Sequence, residues 1–131
     1  MGTIQGGTVI PGVARGAPPA VLTKTADYTV TEADNGAVIL ADAVDLTITL
    51  PATRAGFRVT VIVATASATT GLSISPAAAD QIIGNGFTPA DDKDAVNTAA
   101  TDAVGDLMTL VGDGADGWYI ENIIGTWARE A

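Results

Sequence analysis

The chain has 131 residues, no cysteine, no histidine and a formal charge of −9. The two missing residue types exclude a disulfide framework, a thiol nucleophile, a Cys/His zinc site and a catalytic imidazole. The acidity disfavours nucleic-acid binding, which needs a basic face against phosphates. No apolar run approaches the roughly 20 residues of a membrane-spanning helix, so no membrane partner is expected.

Charge is distributed unevenly. Residues 1–26 hold Arg15 and Lys24 and no acid, with three of the six prolines and five of the fifteen glycines. Residues 27–131 hold four bases and fifteen acids, a net of −11. Pro and Gly at such density oppose helix and central strand alike, so residues 1–26 read as an extended N-terminal arm. Ile4, Val9, Ile10, Val13, Val21 and Leu22 make the arm apolar, and Pro11, Pro18 and Pro19 stiffen it. Such a segment is expected to dock on a surface; the alternative is a terminus ordered only at its end. The start of the chain lacks a cationic run followed by an apolar stretch, so no secretion signal is expected.

Residues 27–131 read as one domain of short strands. The large apolar residues are mostly Val, Ile and Leu, and Thr occurs 18 times, which favours strand over helix. Residues 28–31 (YTVT) alternate, and Asn35-Gly36 closes a turn. Strands follow at 37–41 (AVILA) and 46–50 (LTITL), the second stopped by Pro51. Residues 57–63 (FRVTVIV) form the strongest strand, with Phe57, Val59, Val61 and Val63 on one face. Residues 71–75 alternate up to Pro76, and 80–83 form a short strand before Gly84-Asn85-Gly86. Residues 88–105 are acidic and Ala-rich, and read as a loop with room for one helical turn. Strands at 107–111 and 118–120 flank the turn at 112–117, and a last strand is expected at 123–127. No repeat of fixed spacing is evident. Eight or nine short strands with closely spaced turns predict an all-β, antiparallel β-sandwich or jelly-roll-like domain.

Candidate chemistry is sparse. Ser67, Ser73 and Ser75 have no His or Cys to act as base, and none lies in a Gly-x-Ser-x-Gly elbow. Paired acids could hydrolyse a glycosidic bond, but fifteen acids pair by accident. Asp113-Gly114-Ala115-Asp116-Gly117 is faintly like a calcium loop, yet lacks the ordered oxygen set and reads as a hairpin turn. No enzyme activity, cofactor or metal is therefore expected.

Several phrases resemble small virion proteins of tailed bacteriophages, most closely capsid decoration (cement) proteins. They are Tyr28-Thr29-Val30-Thr31 with Asp34-Asn35-Gly36, Thr47-Ile48-Thr49-Leu50-Pro51, and Gly56-Phe57-Arg58-Val59-Thr60-Val61. Later come Ile74-Ser75-Pro76, Asp80-Gln81-Ile82-Ile83-Gly84-Asn85-Gly86, Val111-Gly112-Asp113-Gly114, Gly117-Trp118-Tyr119 and Gly125-Thr126-Trp127. The resemblance spans residues 27–127. It implies a homotrimer on the outer surface of a phage head, binding the major capsid protein. The arm residues Ile4, Val9, Ile10, Pro11, Val13, Arg15, Pro18, Pro19, Val21 and Leu22 would then make the capsid contact. Similar modules occur in head and tail fibres. The competing expectation is a receptor- or carbohydrate-binding module using Trp118, Tyr119 or Trp127 as stacking platforms and residues 88–105 as a specificity loop.

Overall fold

The structure is a computed structural model that describes residues 20–131 apart from Ala68 and Asn85. Eleven strands carry the fold: β1 (Val21–Lys24), β2 (Tyr28–Thr29), β3 (Val38–Ala41), β4 (Thr47–Thr49), β5 (Arg58–Val63) and β6 (Ser73–Ser75). The rest are β7 (Gln81–Ile83), β8 (Ala95–Asn97), β9 (Leu107–Gly112), β10 (Gly117–Ile124) and β11 (Trp127–Arg129). A single 3₁₀ turn covers Glu32–Asp34. The chain is all-β, as its composition predicts, and sandwich-like.

Two sheets form, ordered β1-β3-β5-β9-β10-β7 and β11-β8-β6-β4-β2. From β1 to β9 each strand lies in the sheet opposite its predecessor's. The chain therefore coils. Strands β1, β3 and β5 stack in parallel in the first sheet, and β2, β4 and β6 stack in parallel in the second. Strands β8, β9 and β11 then add antiparallel, β10 pairs antiparallel with β9, and β7 closes the far edge of the first sheet parallel to β10.

The sheets are thus mixed, which corrects the expectation of an antiparallel sandwich with jelly-roll-like connectivity. The reason lies in what alternation encodes. A period of two marks a half-buried strand but not the direction of its neighbour. Here the parallel partners among β1–β6 lie two strands apart, with a strand of the opposite sheet between them. The connections differ in length, so the coil leaves no fixed repeat in the sequence.

Register places the apolar residues in facing rows. In the first sheet Ile39, Val61 and Met108 are aligned across β3, β5 and β9, and all three are fully buried. In the second, Ile48, Ile74 and Ala95 are aligned across β4, β6 and β8 and are equally buried. All six belong to one core cluster, so the two rows close the interior between them. Phe57, Val59, Val61 and Val63 all point inward, as the alternation of this strand predicts.

Two further expectations are revised. Residues 88–105 contain no helical turn; they supply β8, an inner strand of the second sheet. Three residues centred on Val96, with a fully buried Asn97 at the end, are too short and too polar to read as a strand. The last strand, expected at 123–127, is divided: β10 continues to Ile124, and β11 begins at Trp127 in the other sheet. Gly125 makes the break at φ 97°, a left-handed conformation, with the Asp106 carboxylate packed where a Cβ would point.

The turn before β6 gives a direct test of this packing. Gly71 (φ +90°) abuts the Asn97 carbonyl of β8, whereas Gly36 (φ +86°) faces open space. Gly36→Ala is expected to cost about 1 kcal/mol from backbone conformation alone. Gly71→Ala should cost clearly more in urea unfolding, because β8 must also move.

Candidate functional site

Of the arm residues, Ile4, Val9, Ile10, Pro11, Val13, Arg15, Pro18 and Pro19 lie outside the described residues. The remaining two belong to the first sheet, which reaches back to Val21, inside the segment expected as an arm. Val21 is exposed on the outer side; Leu22 pairs with Ile39 and turns inward, half-buried. The Ala20 carbonyl accepts the Val38 amide at 2.8 Å, so main-chain pairing begins as soon as the described chain does. The other edge of β1 has no strand beside it among the described residues.

The link from β1 to β2 is pinned by side chains. Lys24 Nζ sits 3.9 Å from the centroid of the Tyr28 ring. The Tyr28 hydroxyl donates to Asp34 Oδ2 at 2.5 Å, and the Thr31 amide donates to the same oxygen at 2.9 Å. Burial pushes the Asp34 carboxyl up, but the Thr31 and Tyr28 bonds together hold it below its ordinary value. The same bond to Asp34 raises the Tyr28 phenol. One carboxylate thereby joins the end of the arm segment to the 3₁₀ turn before β3.

The aromatic residues are mostly internal. Trp118 is fully buried, edge-on to Phe57 with ring centroids 5.4 Å apart. Trp127 is buried and donates its indole N–H to the Ile124 carbonyl at 2.9 Å. Neither presents a face on which a sugar could stack. Tyr119, 47% exposed on the outer side of β10, is the open ring of the three candidates.

Acidic side chains mainly organise loops. Asp113 Oδ1 accepts the amides of Ala115, Asp116 and Gly117, which turns the β9–β10 hairpin. Those bonds, the Gly117 amide foremost, hold its carboxyl below the ordinary range. Asp45, itself at φ 54°, does the same for the amides of Thr69, Thr70 and Gly71. The Ser67 amide donates to Asp102 at 2.6 Å, and Ser67 Oγ accepts the Asp45 amide at 2.9 Å. Ser67 is thereby a loop tie. Asp94, just before β8, behaves oppositely. Burial raises its carboxyl, the Glu130 and Asp92 charges add to the rise, and the Ser75 and Ser73 hydroxyls oppose it.

Among the described residues there is no pocket and no group of three or more acids placed to hold a metal ion. None of their helices is long and apolar enough to cross a membrane. What the geometry offers is surface: a free strand edge at β1, and two outer sheet faces of different chemistry. That of the second sheet is hydroxyl-rich, with Thr29, Thr49 and Ser75 in one row and Thr47 beside Ser73 in the next. That of the first sheet sets the aliphatic row Leu40, Ile62, Leu107 and Ile124 next to the polar row Thr60, Thr109 and Asn122. Comparison of the chain with protein-family models and with curated proteins gives no match.

The two kinds of carboxylate should separate in a pH series. Asp113 has a lowered folded value, so its contribution is present above the unfolded carboxylate range and is lost as pH falls through the folded value. Asp113→Ala is expected to lower Tm at pH 7 and to have little effect near pH 2. Asp94 has a raised folded value, so its ionised form opposes folding. Asp94→Asn should raise Tm at pH 7, with the gain vanishing as pH falls below the ordinary carboxylate range.

Proposed function

We propose that the chain is a decoration (cement) protein of a tailed-bacteriophage head. In this reading it binds the outer surface of the shell as a homotrimer and stabilises contacts between major capsid subunits. It acts by binding, without chemistry, cofactor or metal. Nucleic acid and membrane have no part in it.

The observation that carries the reading is the way the chain enters the body. An acid-free, apolar segment of 19 residues precedes β1, a strand with no outer neighbour among the described residues, while the body behind it holds fifteen acids and five bases. Fully extended, 19 residues span at most about 60 Å, about twice the width of this sheet. A tether of that reach can leave one subunit and lie along another protein. The free edge of β1 offers main-chain groups to which an extended segment of a partner can add as a strand. The acidic body keeps like copies from clumping at high number. The phrases quoted above that resemble decoration proteins include Tyr28 and Asp34, which fasten the tether's root.

The fibre-module alternative loses most of its aromatic platform, since Trp118 and Trp127 pack inside. Tyr119 alone of the three stays open to a receptor.

Truncation separates tether from body. Removing residues 1–19 is expected to leave a folded protein, with Tm lowered by only a few degrees, that no longer binds shells stripped of the decoration protein. Removing residues 1–26 deletes β1 as well and should lower Tm further. Sedimentation with shells reads both. Undiminished binding by the shorter deletion would contradict the tether's role.

A further inference from the structure

The outer face of the first sheet carries a row of large aliphatic side chains in register. Leu40 on β3 pairs with Ile62 on β5, Ile62 with Leu107 on β9, and Leu107 with Ile124 on β10. The first three are half-buried, and Ile124 is 51% exposed. All four lie opposite the inward row in the alternation of their strands, so they contribute nothing to the core between the sheets. The second sheet's outer face is built mainly from Thr and Ser, with Val96 and Ala128 beside Ser73. The first sheet's sets its large aliphatic row beside a polar one, Thr60, Thr109 and Asn122.

Charge identifies what covers it. The described residues carry five bases and fifteen acids, a net of −10. Yet the six strands of the first sheet contain a single acid, Glu121. Arg58 neutralises it in a two-pronged pair: Nε to Oε1 at 2.8 Å and Nη2 to Oε2 at 2.7 Å. The sheet's other base, Lys24, lies in the inward register beside Ala41, its amine over Tyr28. The face thus has no net charge on a strongly acidic body. The strands of the second sheet likewise hold no acid, so the two sheet faces are where acidic copies can touch, and of the two it is the first that carries a row of large aliphatic side chains. A basic partner drawn to the acids would find nothing to pair with here.

We infer that this face is where copies of the chain pack on one another. Six strands at about 4.8 Å spacing and six residues at about 3.3 Å rise give a footprint of roughly 500 Å² per copy. Two such faces bury about 1,000 Å², the lower bound for a specific interface. The aliphatic row supplies its dry part toward one end of the strands, beside the row of Thr60, Thr109 and Asn122. Arg58 and Glu121 lie toward its border, where they can exchange partners between copies. The count of three rests on the functional reading above; the face itself does not.

The test is mass in solution, and needs no shell. Sedimentation equilibrium of the wild-type protein is expected to show association, with about three times 13.1 kDa for the trimer. Association should tighten when salt is raised from 20 mM to 500 mM, since salt screens repulsion between the acidic bodies. Ile62→Thr with Leu107→Thr keeps β-forming side chains and leaves the inner row untouched. It should raise the dissociation constant by at least roughly a hundredfold with an unchanged far-UV spectrum. Should that pair fail to fold, Thr109→Lys, which adds a charge beside the row, should do the same. A wild-type monomer at high salt, or assembly that survives the folded variants, would overturn the proposal. A dimer would keep the face and remove the trimer from the functional reading. Shell binding by a monomeric variant would likewise keep that reading and remove its trimer.

Discussion

The fold depends on two facing rows of side chains, Ile39-Val61-Met108 in one sheet and Ile48-Ile74-Ala95 in the other. Each row crosses three strands that are far apart in sequence. Burying one large aliphatic side chain in such a row contributes about 1.5–3 kcal/mol. Strands of two to eight residues are too short to persist alone, so each rung of the coil is held by the rung beside it. Short strands are the consequence of this coiling, because the chain must leave each sheet quickly to enter the other.

The same geometry decides what is left for function. Because both inner faces are filled, Trp118 with Phe57 included, no pocket opens among the described residues. Loop acids that would be free on a ligand site are engaged with main-chain amides: Asp45 with residues 69–71, Asp113 with residues 115–117. Surfaces remain, and they are differentiated. The first sheet has an outer face with an aliphatic row and no net charge, since Arg58 and Glu121 pair on it, and an edge at β1 with no strand beside it among the described residues. The second has hydroxyl rows.

Much of this was legible in residue order, and the rest was hidden for definable reasons. The inward set of β5 followed from strict alternation over seven residues, and the turns from Asn-Gly and Asp-Gly pairs. Strand direction was not legible, because Thr47-Ile48-Thr49 alternates identically beside a parallel or an antiparallel neighbour. Strand β8 was missed because its buried end is Asn97, whose amide is held by Asp106 and by the Thr126 carbonyl, partners distant in sequence. The start of the sheet was placed late, at residue 27, because the Pro/Gly-rich segment before Val21 masks the strand that follows it. Of the candidate contact residues, only Val21 and Leu22 fall within the described residues, on opposite faces of β1. The aliphatic row from Leu40 to Ile124 was invisible in one dimension. It is made by register, and Leu40, Ile62 and Leu107 each look like ordinary members of an apolar strand.

The most direct test of the central claim is position on the particle. A cryo-electron microscopy map of virions that contain this chain is expected to show the two-sheet body at many symmetry-related places on the outside of the head, with density from residues 1–19 running onto the major capsid protein. Density confined to the tail or to a fibre tip, or its absence from the particle, would contradict the account.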